Sequence, residues 1–310
     1  MSTSEPFVDI ASLSSFLFDI GSHHVDLIFT PQSKLQQGDL LLYHYTDLAG
    51  LLGILKRHDL WLTHSRYLND AEEMIHGTTV ARKVIEQALA AQAHDFNYLQ
   101  ELDRLSSNQE GVYICCFCEK DNLLSQWRGY GANGSGVSLQ FAPKEFADVS
   151  GPDNIHGLLR FWKVFYNPDT QTDIIRRAIE QYSPHNPNNP LNAGQSSATL
   201  ARKAADAVRF FIPTFKNTDF QEEDEWRLIF TPTPGIHVQP QFRVSRNMLV
   251  PYYSLRDLIS AGVLPLLPLR QVCLGPSVHK QLNSESVKAL LQEAGYTGVS
   301  VMVSNTSYRA

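Results

Sequence analysis

Residues 111–118 read Gly-Val-Tyr-Ile-Cys-Cys-Phe-Cys, and the placement of the other elements follows from them. The β-branched and aromatic content belongs to a strand, not a helix. Side chains alternate along a strand, so Tyr113, Cys115 and Phe117 share one face while Ile114, Cys116 and Cys118 share the other. That alternation separates Cys115 from Cys118, formally a C-x-x-C pair, and no second such pair occurs in the chain. Without a turn to gather the sulfurs, the cysteines read as small buried hydrophobes and not as a zinc or redox site.

Toward the N-terminus, Leu41–Thr46 predicts a short buried strand that delivers the chain into a helix cap. Leu48, Leu51, Leu52 and Leu55 fall at i, i+3, i+4 and i+7, which predicts a helix over 47–57 closed by Lys56, Arg57 and His58. Leu60–Thr63 is a second strand candidate. Asn69-Asp70 followed by Glu72-Glu73 reads as a cap with an acidic first turn, opening a helix that runs to about Ala91. With His64 and His76 nearby these are also metal-ligand types, although a helix cap uses the same residues.

Toward the C-terminus, Gly136–Phe141 and Leu158–Tyr166 predict strands, and the glycine-rich turn Gly129–Gly136 reads as a hairpin connection. That turn lacks the Gly-Lys-Ser/Thr ending of a phosphate loop. Residues 183–197, rich in Pro, Asn and Ser, predict a loop and the best place for an insertion or boundary. Helices are expected over 198–211 and 285–293, and strands over 225–230, near 272–274 and over 299–303. Strands come in runs, so the class is α+β: a split mixed or antiparallel sheet with flanking helices, carried by one domain over 40–310 behind an N-terminal extension, 1–39.

The composition sets the bounds. The chain has 310 residues, 43% hydrophobic, with a formal net charge of −6, so it holds enough apolar matter for a core and no global basic field for a nucleic-acid backbone. Four cysteines, three of them crowded together, suit the reducing cytoplasm better than a secreted disulfide framework. The first twenty residues lack a positive n-region and carry Asp9 and Asp19, unlike a signal peptide, and no run reaches membrane-helix length, so no membrane partner is expected.

Three constellations carry chemistry. His44 and Thr46 share one face of the first strand. Trp127, Arg128 and Tyr130 set two amphipathic rings and a guanidinium within four positions, a set suited to stacking on a base or nicotinamide. Glu225 alternates with Arg227 on one face of a late strand, so its carboxylate has a charge partner.

Taken in order, Leu42–Thr46, Leu60-Trp61 to Asp70 with Glu73, Cys116–Cys118 to Trp127 and Tyr130, and Glu223–Arg227 resemble the bacterial domain of unknown function 2971 family, as do Leu274-Gly275-Pro276 and Ser304 to Tyr308-Arg309. A second similarity is to the ADP-ribosyltransferases with a His-Tyr-Glu arrangement, in His44-Tyr45-Thr46, Gly111-Val112-Tyr113 with Ser125 and Tyr130, and Glu225; Trp127 and Arg128 depart from that pattern. This similarity implies a cleft that takes NAD as substrate, with His44 and Thr46 on a ribose, Tyr113, Trp127 or Tyr130 on the nicotinamide, and Glu225 stabilising the oxocarbenium-like centre as the nicotinamide bond breaks. Arg128 and Arg227 complete the expected NAD contacts, and the acceptor of ADP-ribose is unspecified, a protein or a nucleic acid. Two rivals use the same residues: a non-catalytic nucleotide sensor of a bacterial stress or phage-defence system, which does not need Glu225, and a metal-dependent hydrolase built on His44, Asp70, Glu73 and Glu225.

Overall fold

The computed structural model describes residues 29–38, 40–68, 72–106, 111–148, 157–186, 189, 192–232, 238–245, 247–259, 264–277 and 279–306. In chain order the elements are α1 (Phe29–Gln37), β1 (Leu42–Thr46), α2 (Leu48–Arg57), β2 (Trp61–His64), α3 (Glu72–Ala90), α4 (Phe96–Ser106), β3 (Tyr113–Cys118), α5 (Leu124–Gly129), β4 (Val137–Phe141), α6 (Lys144–Asp148) and β5 (Gly157–Lys163). There follow α7 (Pro168–Gln181), α8 (Ser197–Phe211), β6 (Glu225–Pro232), β7 (Gln241–Ser245), β8 (Met248–Ser254), α9 (Leu255–Leu258), β9 (Leu269–Leu274), α10 (Lys280–Glu293) and β10 (Ser300–Val303). Most of the N-terminal extension, and with it Asp9 and Asp19, lies outside the described residues, as do Asn69, Asp70, Tyr308 and Arg309.

The class is α+β, with a mixed and mostly antiparallel sheet. Its main path runs β10-β9-β4-β1-β3-β2-β8-β7, with β6 on the other edge of β3 and β5 beyond β6. Among the described strands of this sheet, β9 and β10 alone pair in parallel. The chain divides into two compact units, each assembled from separated stretches: one from residues 1–31, 65–112 and 164–221, the other from 32–64, 113–163 and 222–310.

The first unit is helical. Along α8, Leu200, Ala201, Ala204, Ala205 and Val208 are buried, and small side chains let a neighbouring helix approach closely; α4 buries Tyr98, Leu99 and Leu102. Gln171 on α7 is fully buried and its Nε2 donates to the carbonyls of Phe165 and Lys216, which leaves its Oε1 to accept from His76 Nε2 at 3.0 Å. The 183–197 stretch falls inside this unit, between α7 and α8, and successive i+3 to i backbone bonds link its described residues Ser183, Asn186, Asn189, Asn192 and Gln195. Asn186, Asn189 and Asn192 each aim an amide at the Gln181 carbonyl, closing the end of α7. Sequence reading passed over α7 despite its signals, Asn167 accepting from the Thr170 N–H and Pro168 in the first turn.

The second unit holds the sheet. Antiparallel partners point to the same face, so Tyr113 with Phe230, Cys115 with Leu228 and Phe117 with Trp226 form one layer, packed with Leu42, Leu62, Leu139 and Phe141 into the main core. Cys118 with Glu225 and Cys116 with Arg227 face the opposite way. The expected hairpin after β3 is corrected: β4 pairs with β1, which lies between β3 and β4, and the connection contains α5 and a tight 3-10 turn at Ala132–Gly134.

Candidate functional site

Strand β3 is the frame for every candidate side chain. Along one of its edges it is met by two strands in turn, β1 through Tyr43 opposite Cys118 and β2 through Thr63 and His64 opposite Ile114 and Tyr113. Between these contacts β1 leaves for β4 and β2 for β8, so the sheet splits beside Cys116. His44 serves the split. Its Nδ1 lies 2.9 Å from the Cys116 carbonyl oxygen, and because a carbonyl only accepts, Nδ1 carries the proton. The neutral ring then keeps Nε2 as an acceptor. Desolvation pushes the pKa of His44 below its ordinary value, the Cys116 bond opposes that, and the charge of Arg243 pushes it further down.

The Cys115 sulfur is 3.9 Å from His44 Nδ1, an arrangement that invites comparison with a Cys-His nucleophile. The chemistry does not follow. Burial raises the Cys115 thiol to about 12, and a neutral imidazole that donates to a carbonyl takes no proton from it.

Trp127 is corrected from ligand platform to core. It is fully buried, its indole N–H donates to Asn122 at 3.0 Å, and its ring meets Tyr45 edge-on at 4.8 Å. The neighbouring glycines are there to fit it: a Cβ on Gly131 would fall 2.6 Å from the Trp127 ring, and one on Gly275 would meet the Gly134 carbonyl at 2.3 Å. Tyr130 packs half-buried against the same cluster, and Arg128 is exposed at the end of α5. Tyr113 is likewise a core side chain, edge-on to Tyr253 at 4.6 Å and to His64 at 5.1 Å. Thr46 packs against the first turn of α2, so closely that its hydroxyl occupies the space a Cβ on Gly50 would need.

Glu225 and Arg227 pair as their alternation predicts. Nε of Arg227 donates to one carboxylate oxygen at 2.8 Å and Nη2 to the other at 3.0 Å, and both residues are buried. The pair occupies the face opposite His44, whose ring packs tilted against Phe117 at 5.6 Å in the main core layer. Tyr113 pairs with Phe230, five positions along β6 from Glu225, or about 17 Å. His44 and Tyr113 thus share a face, Trp127 and Glu225 share the other, and the expected His-Tyr-Glu set does not converge. The physical reason is the strand period of two: in the observed register Cys118, not Phe117, lies opposite Glu225, and Tyr43, not His44, lies opposite Cys118.

The residues that approach the split from the other face of the sheet, the one Thr63 shares with Ile114 and Cys116, were not singled out by sequence. Trp61 and Thr63 come from β2, Tyr252 from β8 and Arg243 from β7; Trp61 lies 4.5 Å from Tyr252, ring to ring. No local signal pointed to Arg243: the alternation Phe242-Arg243-Val244 by itself turns the two apolar side chains inward and the arginine outward, the reverse of the observed exposure. Among the described residues no three His, Cys, Asp or Glu side chains gather to hold a metal ion, and Asp70 and the Glu73 side chain lie outside them. No helix among the described residues is long and apolar enough to cross a membrane.

Residues 126–228 match a family model described as "Protein of unknown function (DUF2971)". The matched third of the chain runs from α5 into β6 and takes in Trp127 and the Glu225–Arg227 pair. No curated protein and no solved structure matches the chain.

Proposed function

We propose that the chain binds NAD or a related nucleotide where β1 and β2 part along β3. The observation that carries this reading is His44, a neutral imidazole held at the split by the Cys116 carbonyl, whose Nε2 suits the hydroxyl of a ribose. All four cysteines are free thiols, which supports work in a reducing compartment such as the cytoplasm.

Transfer of ADP-ribose to an unspecified acceptor is the second reading, favoured by the split in the sheet. It requires Glu225 to leave a two-bond pair with Arg227 and act across the sheet, so binding without turnover is the preferred form. Calorimetric titration of NAD, ADP-ribose and ATP into the wild type should give a Kd between micromolar and millimolar. His44→Ala should weaken that binding about tenfold, the order of one lost hydrogen bond. Nicotinamide release, followed for wild type and Glu225→Gln with cell extract as acceptor source, separates the two readings. Release above background that vanishes in Glu225→Gln would establish transfer. No heat and no rise in Tm with any of the three nucleotides would end the binding reading.

A further inference from the structure

Arg243 sits in the middle of the edge strand β7, its neighbours Phe242 and Val244 exposed on one face and its own side chain turned to the other, toward β2. Nη2 donates to the Thr63 hydroxyl at 2.9 Å, and the guanidinium carbon lies 5.2 Å from the centre of the Trp61 ring. The guanidinium of Arg57, at the end of α2, lies 5.6 Å from the same ring. Among the described residues no carboxylate pairs with Arg243, and its Nε is buried with no hydrogen-bond partner. The two acidic side chains closest in the sequence of this region have other donors: Asp59 accepts from the Arg256 N–H and Asp257 from the Gln241 amide.

A half-buried guanidinium that donates to one neutral hydroxyl and has its Nε buried without a partner carries a charge that no carboxylate among the described residues balances. A structural arginine spends several N–H groups on carbonyls or carboxylates; this one is left with an unused, buried donor, and its charge reaches His44 and Cys115. Contact with an indole helps to hold the guanidinium in place while leaving N–H groups for an oxyanion. Arg57 adds a second positive charge at the same indole, and the raised local positive charge favours phosphate or diphosphate over a single carboxylate. We infer that Arg243, aided by Arg57, is the subsite for the phosphate groups of the nucleotide, an inference that rests on the binding reading above and names the part of the ligand it grips.

The test titrates full-length wild type, Arg243→Gln and Arg243→Lys with ADP-ribose, inorganic pyrophosphate, malonate and nicotinamide riboside, which lacks phosphate, and records Tm without ligand. Arg243→Gln should weaken ADP-ribose and pyrophosphate at least about tenfold, Arg243→Lys by less because it keeps the charge and loses the fork, and neither should affect nicotinamide riboside. Tm of unliganded Arg243→Gln should equal or exceed that of the wild type, because the variant removes an unbalanced charge. Unchanged ADP-ribose affinity in Arg243→Gln overturns the subsite and leaves nucleotide binding standing. Arg243-dependent binding of pyrophosphate with no binding of any nucleotide keeps the anion subsite and ends the nucleotide reading. Malonate bound as tightly as pyrophosphate, or a lowered Tm with unaltered affinities, refutes a phosphate role for Arg243.

Discussion

His44 shows how much one bond can decide. Its Nδ1 takes the place of the missing backbone donor where β1 leaves β3, so the Cys116 carbonyl is satisfied by a side chain where this ladder ends. That duty requires a proton on Nδ1, which either charge state supplies; burial with the Arg243 charge pushes the pKa down and favours the neutral ring. The sign follows. Below the ordinary histidine value of 6.5 the unfolded chain binds a proton that the folded ring resists, so the stability contributed by His44 is complete above about pH 6.5 and is lost as pH falls toward the depressed folded value. The Cys115 thiol, at about 12, does not titrate in that range. Melting temperatures of wild type and His44→Gln, measured from pH 7.5 to 5.5, should converge as the pH falls; a gap that widens instead would mean the ring is charged in the folded protein.

At the scale of elements, the glycine-rich connection after β3 is shaped by the tryptophan it encloses. Gly129 and Gly131 look alike in sequence and differ in surroundings: nothing lies within 4 Å of a Cβ on Gly129, whereas one on Gly131 would strike the Trp127 ring and backbone. Gly131→Ala should cost about 1 to 3 kcal/mol as an overpacked site. Gly129→Ala, at the end of α5, should be neutral or stabilise by up to about 1 kcal/mol. Urea melts of the two variants check the difference, and equal stabilities would mean that the connection does not pack around Trp127. The Asn-rich turn series after α7 follows the same logic: three side-chain amides on the Gln181 carbonyl tie a stretch whose composition alone says only loop.

At the scale of the molecule, both compact units are discontinuous in sequence, and the 183–197 stretch separates α7 from α8 within one of them. A cut there would deprive the helical unit of α8 and the sheet unit of everything from β6 onward. Fragments 40–182 and 198–310, expressed separately, should each lack a cooperative thermal transition by circular dichroism. A fragment that melts cooperatively on its own would show that the stretch is a boundary after all.

Local pattern in the sequence determined the strands that carry the candidates, the α+β class, the helix 48–57 and the pairing of Glu225 with Arg227, because each depends on periodicity or on residues two to seven positions apart. Which candidates meet was not local. The face a strand residue occupies relative to a residue on another strand depends on register, and a slip of one residue reverses it. Only the tertiary structure therefore put His44 and Glu225 on opposite faces, made Trp127 a core side chain, and brought Arg243, far along the chain from β2, onto Thr63 and Trp61 at the split.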